Sequence, residues 1–332
     1  MPENNVIRLA VIGCGAVATA YHIPAIKKVS LLRLSAVVDI DETWVKQVAR
    51  TYNVPSALAD FRQVVGLADA ALVATPNASH VEIAAYLLEH GVHVLCEKPL
   101  ATTASDARLL FDLANRNGTR LMVGQSRRFN PNLTALADLV RQGALGQITN
   151  LTAGLGGPIQ KWAARTSFRS QRDLAGGGVL MDSGAHLVDL ATWLFGESPS
   201  EVLCRAEMSP EWNVEMDAEV QLMFPWGGTA SLVCSYTHGV DGTVHVQGEA
   251  GWAQTSIQPM PELTFYSRTS LVGRRDGVQK VLLPEEDAYW RMHAHFCDCL
   301  LTGKPFLVKP EEVIATLQVL DQCYANIGAT QC

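Results

Sequence analysis

Five short apolar runs divide the first 125 residues, and a segment with helical periodicity follows each of the first four. The runs are continuously apolar rather than alternating, as in HVLC, which is typical of strands that are covered on both faces. They lie at 7–12, 32–38, 69–74, 93–96 and 120–124. Strands that alternate with helices in this order predict an α/β fold with a parallel, doubly wound Rossmann sheet.

A glycine-rich turn, GCGAVA at 13–18, follows the first predicted strand. Gly13 permits a tight turn, Gly15 lets a pyrophosphate approach the backbone, and the small Ala18 lets the helix pack closely on the strand. Asp39 ends the second strand, where a carboxylate binds the adenosine ribose and repels a 2′-phosphate. The sequence therefore predicts an NAD site, with NADP as the alternative. The predicted cofactor-binding residues of the turn and second strand are Gly13, Gly15, Ala16, Val17, Ala18 and Asp39.

Polar residues also follow the other three predicted strands. The carboxyl ends of parallel strands share one edge of a sheet, and open α/β sheets bind their ligands at that edge. The stretch VLCEKPL at 94–100 is therefore predicted to bring Lys98 to the edge that holds the cofactor, the alternative being a solvated strand end. The cofactor-binding residues predicted there are Thr75, Pro76, Asn77, Glu97, Lys98 and Gln125.

The pattern changes near residue 126. Many of the later strand-like runs alternate apolar and polar residues, which predicts an open, mostly antiparallel sheet with helices on one face. The other face of that sheet would be free for a second copy of the chain. We predict a cofactor-binding domain at 1–125 and an α+β domain for substrate binding and oligomerisation at 126–332, with the last helix, 310–328, packing back on the first domain.

One predicted helix in the second half, at 176–196, carries a stripe of ionisable residues. Asp182 and His186 are four positions apart, and Asp189 follows three positions later, so all three lie on one side of the helix. Three glycines precede the helix and allow a ligand or another backbone to come very close. These features favour a functional site over a solvated charge pair on a surface helix.

Three further features have weaker interpretations. Arg127 is a candidate to bind a substrate anion, or else a salt-bridge brace between domains. Trp162 is a candidate to line a sugar site, or else a packing residue. The His and Cys residues between 293 and 299 fall on two faces of a predicted helix at 288–302, so we predict no metal site there.

Composition excludes several classes of function. The 332 residues are 48% hydrophobic and 18% charged, enough to bury a sizeable core. A formal net charge of −7 without a basic patch argues against nucleic acid as a partner. No apolar run reaches the length of a membrane span, and no signal-peptide pattern opens the chain. The 8 scattered cysteines indicate reduced thiols in a cytoplasmic protein.

Several motifs together resemble the glucose–fructose oxidoreductase, inositol dehydrogenase and MocA family (Gfo/Idh/MocA). They are GCGAVA (13–18), ATPNASH (74–80), HVLCEKPLA (93–101), RRFNP (127–131) and GGGVLMDSGAHLVDLATWLFG (176–196). The resemblance implies a nicotinamide-dependent dehydrogenase or reductase acting on CH–OH groups of a sugar or cyclitol. It also implies that Lys98, Asp182 and His186 are catalytic and contact the substrate, that a cis peptide precedes Pro99, and that homodimers or homotetramers form through the second domain.

The resemblance also implies a role for each of these residues in the reaction. His186 would be the general base, Asp182 would orient it, and Lys98 would hydrogen-bond the reacting oxygen. Asn77 and His80 would lie near the nicotinamide half of the cofactor. The alternatives are a keto-sugar reductase, with a free or nucleotide-linked sugar, a reductase of a non-sugar ketone or conjugated bond, and a non-catalytic regulator that binds the dinucleotide.

Overall fold

The computed structural model describes residues 6–159, 167–269 and 277–330. Trp162 therefore lies outside the described residues. The described chain forms two compact units. The first unit holds residues 6–126, 167–168 and 287–314, and the second holds 127–159, 169–269, 277–286 and 315–330.

The first unit contains a six-stranded, wholly parallel sheet, which confirms the predicted Rossmann architecture. Its strands are β1 (Ile7–Ile12), β2 (Leu32–Val38), β3 (Ser56–Leu58), β4 (Ala70–Val73), β5 (His93–Glu97) and β6 (Leu121–Gly124). The order is β3-β2-β1-β4-β5-β6, so the direction of winding reverses between β1 and β4. Such a reversal opens a crevice at the carboxyl ends of the two strands, where dinucleotides bind.

Helices connect these strands, and most begin and end where the sequence gives a cap. The helix after β1 begins at Ala16, forms a π-helical turn (Ala18–His22) and continues as α1 (Ile23–Ile26). The others are α2 (Glu42–Tyr52), α3 (His80–Glu89), α4 (Ala104–Asn117) and α8 (Ala288–Thr302). The side chains of Asp41, Thr103 and Asp287 accept the first free N–H groups of α2, α4 and α8, which is how N-caps stabilise helices.

The second unit contains an eight-stranded sheet in the order β14-β13-β12-β11-β7-β10-β9-β8. Its strands are β7 (Ile148–Gly156), β8 (Glu201–Met208), β9 (Glu215–Met223), β10 (Thr229–Ser235), β11 (Thr243–Gly248), β12 (Gly251–Ser256), β13 (Glu262–Ser267) and β14 (Gln279–Leu282). All neighbouring pairs are antiparallel except β7 and β10, which confirms the predicted open, mostly antiparallel sheet.

The helices of the second unit are α5 (Pro131–Arg141), α6 (Arg172–Ala175), a π-helical turn (Leu180–Gly184) that leads into α7 (Ala185–Phe195), and most of α9 (Pro310–Thr330). Helix α5 packs on β12 and β13, and α7 packs on β7 and β10. No helix within the described ranges is long and apolar enough to cross a lipid bilayer.

The two units do not follow a single cut in the sequence. Residues 287–314 group with the first unit because α8 packs against α1, whereas the sequence-based division placed everything after residue 125 in the second domain. Residues 315–330 of α9 group with the second unit, although we expected this helix to pack on the first. The side chain of Asn326 shows why, since its oxygen accepts the backbone N–H of Cys204 in β8 at 3.1 Å.

Candidate active site

The glycine turn after β1 has the geometry of a phosphate-binding turn. Gly13 has φ +90°, and a Cβ there would lie 2.5 Å from the carbonyl oxygen of Ala74, so only glycine fits. At Gly15 a Cβ would meet no heavy atom of the described residues within 4 Å. The turn therefore leaves open space beside its second glycine, at the start of the helix that includes Ala16, Val17 and Ala18, which is where a pyrophosphate would be held. The residues present fit a dinucleotide.

We expect Gly15→Ala to leave the fold intact and to weaken NAD binding by about tenfold or more. The added methyl group meets no heavy atom of the described residues within 4 Å beyond its chain neighbours, but it occupies the space through which a pyrophosphate approaches the backbone. Titration of NADH by its fluorescence, beside a melting curve of the same sample, measures both effects. A melting temperature close to that of the wild type with unchanged NADH affinity would contradict the assignment of this turn.

Asp39, just after β2, holds the glycine turn directly. Its Oδ2 accepts the N–H of Cys14 at 2.9 Å, and its Oδ1 accepts the N–H of Asp41 at 3.0 Å. Burial, with the Asp39 carboxylate adding to it, raises the pKa of the Cys14 thiol to about 12, so this cysteine stays protonated in the turn. The half-buried carboxylate is therefore fixed at the sheet edge where the sequence placed it.

The loops after β4 and β5 are joined by the ring of His80. Nδ1 lies 2.9 Å from the carbonyl oxygen of Pro99, and Nε2 lies 2.9 Å from that of Thr75. The ring is 1% exposed, and burial lowers its pKa. The buried His80 thus links these two loops of the sheet edge, and Pro76 and Asn77 in the first of them are half-buried. The contact of His80 with a cofactor stays a prediction.

Lys98 directly follows β5 at the same edge and is half-buried. The peptide between Lys98 and Pro99 is cis, as the family resemblance implied. Glu97 accepts the backbone N–H of Lys98 through Oε2 at 3.2 Å. Gln125, after β6, is 3% exposed, and its side-chain oxygen has no hydrogen-bond partner among the described residues. The predicted edge residues of the first unit are therefore brought to one end of its sheet.

In the second unit, Asp182 and His186 lie on the helix that begins with the π-helical turn, and both are half-buried. Oδ2 of Asp182 accepts from Arg169 Nε at 3.0 Å and from the Tyr236 hydroxyl at 2.7 Å. Burial, reinforced by the nearby Asp182 carboxylate, raises the pKa of Tyr236 well above its usual value, so the phenol stays protonated and donates. π-helical turns of this kind are frequent at functional sites.

The three glycines before this helix allow the protein itself to come close. Oε1 of the fully buried Glu215 accepts the N–H groups of Gly178 and Leu180 at 2.8 and 3.1 Å. It also accepts the hydroxyl of Tyr324 at 2.8 Å. A Cβ on Gly178 would overlap the backbone of Glu215, and one on Gly177 would overlap the Tyr324 hydroxyl. The sequence left open whether a ligand or another part of the backbone comes close to these glycines, and the structure supports the close approach of the protein itself.

Asp189, the third ionisable residue of this helix, has a buried partner of its own. It forms a two-pronged salt bridge with Arg128, with N–O distances of 2.8 and 2.9 Å, and both side chains are almost fully buried. The neighbouring Arg127 donates to the carbonyl oxygen of Ile257 at 2.6 Å and to Gln258 Oε1 at 3.2 Å. Arg128 therefore braces α7, while the predicted contact of Arg127 with substrate stays a prediction.

The His and Cys residues of α8 take up separate positions. His293 contacts His22, and His295 Nε2 accepts the N–H of Leu307 at 2.9 Å. Among the described residues no group of three or more His, Cys, Asp or Glu side chains is arranged to hold a metal ion.

Sequence reasoning missed several residues that shape these sites. Arg169 and Tyr236 hold Asp182 from 13 and 54 positions away along the chain. Glu215 and Tyr324, which fix the start of the same helix, are 109 positions apart. Because these partners are far apart along the chain, no local pattern identifies them.

Comparison with known proteins agrees with this geometry. Residues 7–125 match the model of the Gfo/Idh/MocA oxidoreductase family with its NAD-binding Rossmann fold, and residues 133–254 match the C-terminal domain model of the same family. The chain is 29% identical over 257 residues to the rhizopine catabolism protein MocA of Rhizobium meliloti, covering 74% of each chain. Over 157 residues it is 32% identical to the levoglucosan dehydrogenase of Pseudarthrobacter phenanthrenivorans, covering 46% of this chain and 40% of that one.

A solved structure is similar over the whole chain. The aldose–aldose oxidoreductase of Caulobacter crescentus, crystallised with glycerol, is 26% identical with a TM-score of 0.87 and covers 98% of both chains. The two family models together account for well over half of the sequence, one on each side of the change in pattern near residue 126. The chain therefore belongs to the Gfo/Idh/MocA family of oxidoreductases, and its first unit is an NAD-binding Rossmann domain.

Proposed function

We propose that the chain interconverts a secondary alcohol and a ketone on a sugar, a sugar derivative or a cyclitol, with NAD(P) as the hydride carrier. The observation that carries the proposal is the position of Lys98, a half-buried lysine at the carboxyl edge of a dinucleotide-binding sheet. The names of two relatives, levoglucosan dehydrogenase and aldose–aldose oxidoreductase, support a sugar-type substrate.

Bound at the glycine turn, the nicotinamide cofactor would supply the hydride acceptor or donor. The chain's own residues would handle the proton and the charge. In the oxidising direction His186 takes the hydroxyl proton, a step that contributes on the order of 100- to 10,000-fold. The Lys98 ammonium donates to the same oxygen and stabilises negative charge on it as the carbonyl forms. In the reducing direction the cofactor would supply the hydride to the carbonyl carbon, and His186 would return the proton to the oxygen.

Asp182 would support His186 through its charge. A carboxylate one turn before the ring orients it and stabilises the imidazolium after proton transfer. Because Arg169 and Tyr236 both donate to Oδ2 of Asp182, the carboxylate is held in one orientation.

A spectrophotometric screen at about 340 nm tests the proposal. It presents free sugars, cyclitols and nucleotide-linked sugars with NAD or NADP, and their keto forms with the reduced cofactors. Turnover of at least one polyol or keto-sugar is expected. Tight cofactor binding without turnover of any of them would instead support the regulator, and turnover of a conjugated enone alone would support the other reductase class.

We propose that NAD is preferred over NADP, because the Asp39 carboxylate lies fixed beside the glycine turn and would repel a 2′-phosphate. Asp39→Asn keeps an oxygen for the Cys14 N–H and removes the charge. We expect it to lower the ratio of kcat/KM for NAD to that for NADP by about tenfold, equivalent to about 1.4 kcal/mol. An unchanged ratio would show that another group selects the cofactor.

We also propose that the second unit's sheet joins copies of the chain into a homodimer or homotetramer in the cytoplasm. Leu203 of β8 and Val233 of β10 are 51% and 37% exposed on that sheet, and exposed apolar side chains on a sheet face favour association. Seven free cysteines are buried in the described chain, in keeping with a reducing compartment. Sedimentation at the mass of one 36.0 kDa chain would refute the oligomer.

A further inference from the structure

A row of buried polar side chains runs behind Lys98 inside the first unit. Nε2 of His293 in α8 lies 2.9 Å from Nδ1 of His22. Nε2 of His22 lies 2.8 Å from Oε1 of Glu97, and Oε2 of Glu97 accepts the backbone N–H of Lys98 at 3.2 Å. Both histidines are fully buried, and the Glu97 side chain is 12% exposed. The proposed mechanism uses neither histidine, so their burial needs another explanation.

The proton positions in this row follow from counting donors and acceptors. A carboxylate only accepts, so His22 Nε2 must carry the hydrogen that faces Glu97. Nδ1 of His293 has no hydrogen-bond partner among the described residues. Placing the His293 hydrogen on Nδ1 would leave a buried N–H without an acceptor, which is rarer and costlier than a bare lone pair. The hydrogen of His293 therefore sits on Nε2 and points at His22, and every donor points toward Glu97.

The row ties three separate elements to one carboxylate. His22 ends the π-helical turn of the cofactor helix, Glu97 ends β5, and His293 belongs to α8. The ring of Tyr289 closes His22 from the side, edge-on at 4.8 Å. Gly124 in β6 leaves space for this carboxylate, because a Cβ there would lie only 3.2 Å from Oε1 and would press on it. A carboxylate held at both oxygens fixes the peptide that leads into Lys98.

We propose that His22 and His293 are positioning residues for the reaction, acting through Glu97 to hold Lys98 relative to the cofactor helix. This inference rests on the proposed function, in which Lys98 contacts the reacting oxygen. The two histidines touch neither substrate nor cofactor in this role. Their contribution is geometric, and misplacing a catalytic group by about 1 Å can cost about 100-fold in rate.

Two substitutions of His22 separate positioning from bulk packing. His22→Gln places an amide N–H where Nε2 was and keeps the bond to Glu97, whereas His22→Asn reaches only the position of Nδ1 and loses it. We expect kcat to fall by about 10- to 100-fold in His22→Asn and by less than about threefold in His22→Gln, with the KM for NAD unchanged in both. Equal losses of kcat in the two variants would overturn the inference, because a packing role does not distinguish them.

A second readout does not depend on finding a substrate. In ¹⁵N-labelled protein, the Lys98 amide resonance should move in His22→Asn and stay in place in His22→Gln. The ring nitrogens of His22 should report a neutral ring protonated at Nε2. A Lys98 amide that is unmoved in His22→Asn, or a His22 protonated at Nδ1 alone, would refute the inference whether or not the enzyme proposal holds. Absence of turnover in the wild type, with the amide shifts as expected, would count against the proposed function only.

Discussion

Lys98→Met is expected to lower kcat by about 100- to 1,000-fold, the usual effect of removing one donor from a developing oxyanion. Methionine keeps the apolar stem of the side chain up to the position of Cε and removes its charge and hydrogen-bond donors. NADH affinity should stay within about threefold, because the glycine turn and Asp39, which we assign to cofactor binding, lie on other strand ends. Steady-state rates on the best substrate of the screen, beside NADH titration, measure both quantities.

A matched control removes a lysine of the same unit that has no proposed role. Lys46 in α2 is 57% exposed and pairs with Glu42 at 3.1 Å, so Lys46→Met should change kcat by less than about twofold. His186→Ala should resemble Lys98→Met, since it removes the proposed base. Near-normal turnover in Lys98→Met would contradict the catalytic assignment of Lys98. If Lys46→Met lost as much kcat as Lys98→Met, the assay would be reporting something other than the site.

Local sequence patterns were sufficient to predict the first unit's sheet edge. The apolar strands, the glycine turn and the acid at the end of β2 are each visible within a few residues, and the parallel topology then brings their ends together. Two short strands were missed: β3 has 3 residues, none of them fully buried, and β14 has 4, of which three are exposed. β4 and β6 are as short as β14 but are wholly buried, so their continuous apolar runs made them visible in the sequence.

The supports of the site were not predictable, because they join distant parts of the chain. The row behind Lys98 links His22 to Glu97 and to His293, which is 271 positions away. Asp189 has the spacing of a site residue, yet Arg128 binds it inside the second unit. A stripe on a helix shows which residues share a side, but not which of them meets a buried partner. That information exists only in the packed structure.

The three glycines at 176–178 are the basis of the second prediction with a large expected effect, which is a loss of stability. Gly178→Ala is expected to destabilise the second unit by about 3 kcal/mol or more, since the new Cβ overlaps the backbone of Glu215 and displaces the N–H that Glu215 binds. For a unit of this size the melting temperature should fall by about 6–12 °C. Activity should fall with it at ordinary temperatures, because the displaced turn leads directly into the helix that carries Asp182 and His186. Differential scanning calorimetry and kcat at about 15 °C measure the two losses.

Gly328 in α9 is the matched control, because a Cβ there would meet no heavy atom of the described residues within 4 Å. Alanine stabilises an exposed helical position by about 0.5–1 kcal/mol relative to glycine, so Gly328→Ala should raise the melting temperature slightly or leave it unchanged. If glycine to alanine lowers the melting temperature at position 178 and raises it at position 328, then packing, and not chain flexibility, requires the glycine at 178. If Gly178→Ala melted at the same temperature as the wild type, the glycines would instead be needed to leave space for a ligand. The contacts of Glu215 and Tyr324 argue against that alternative.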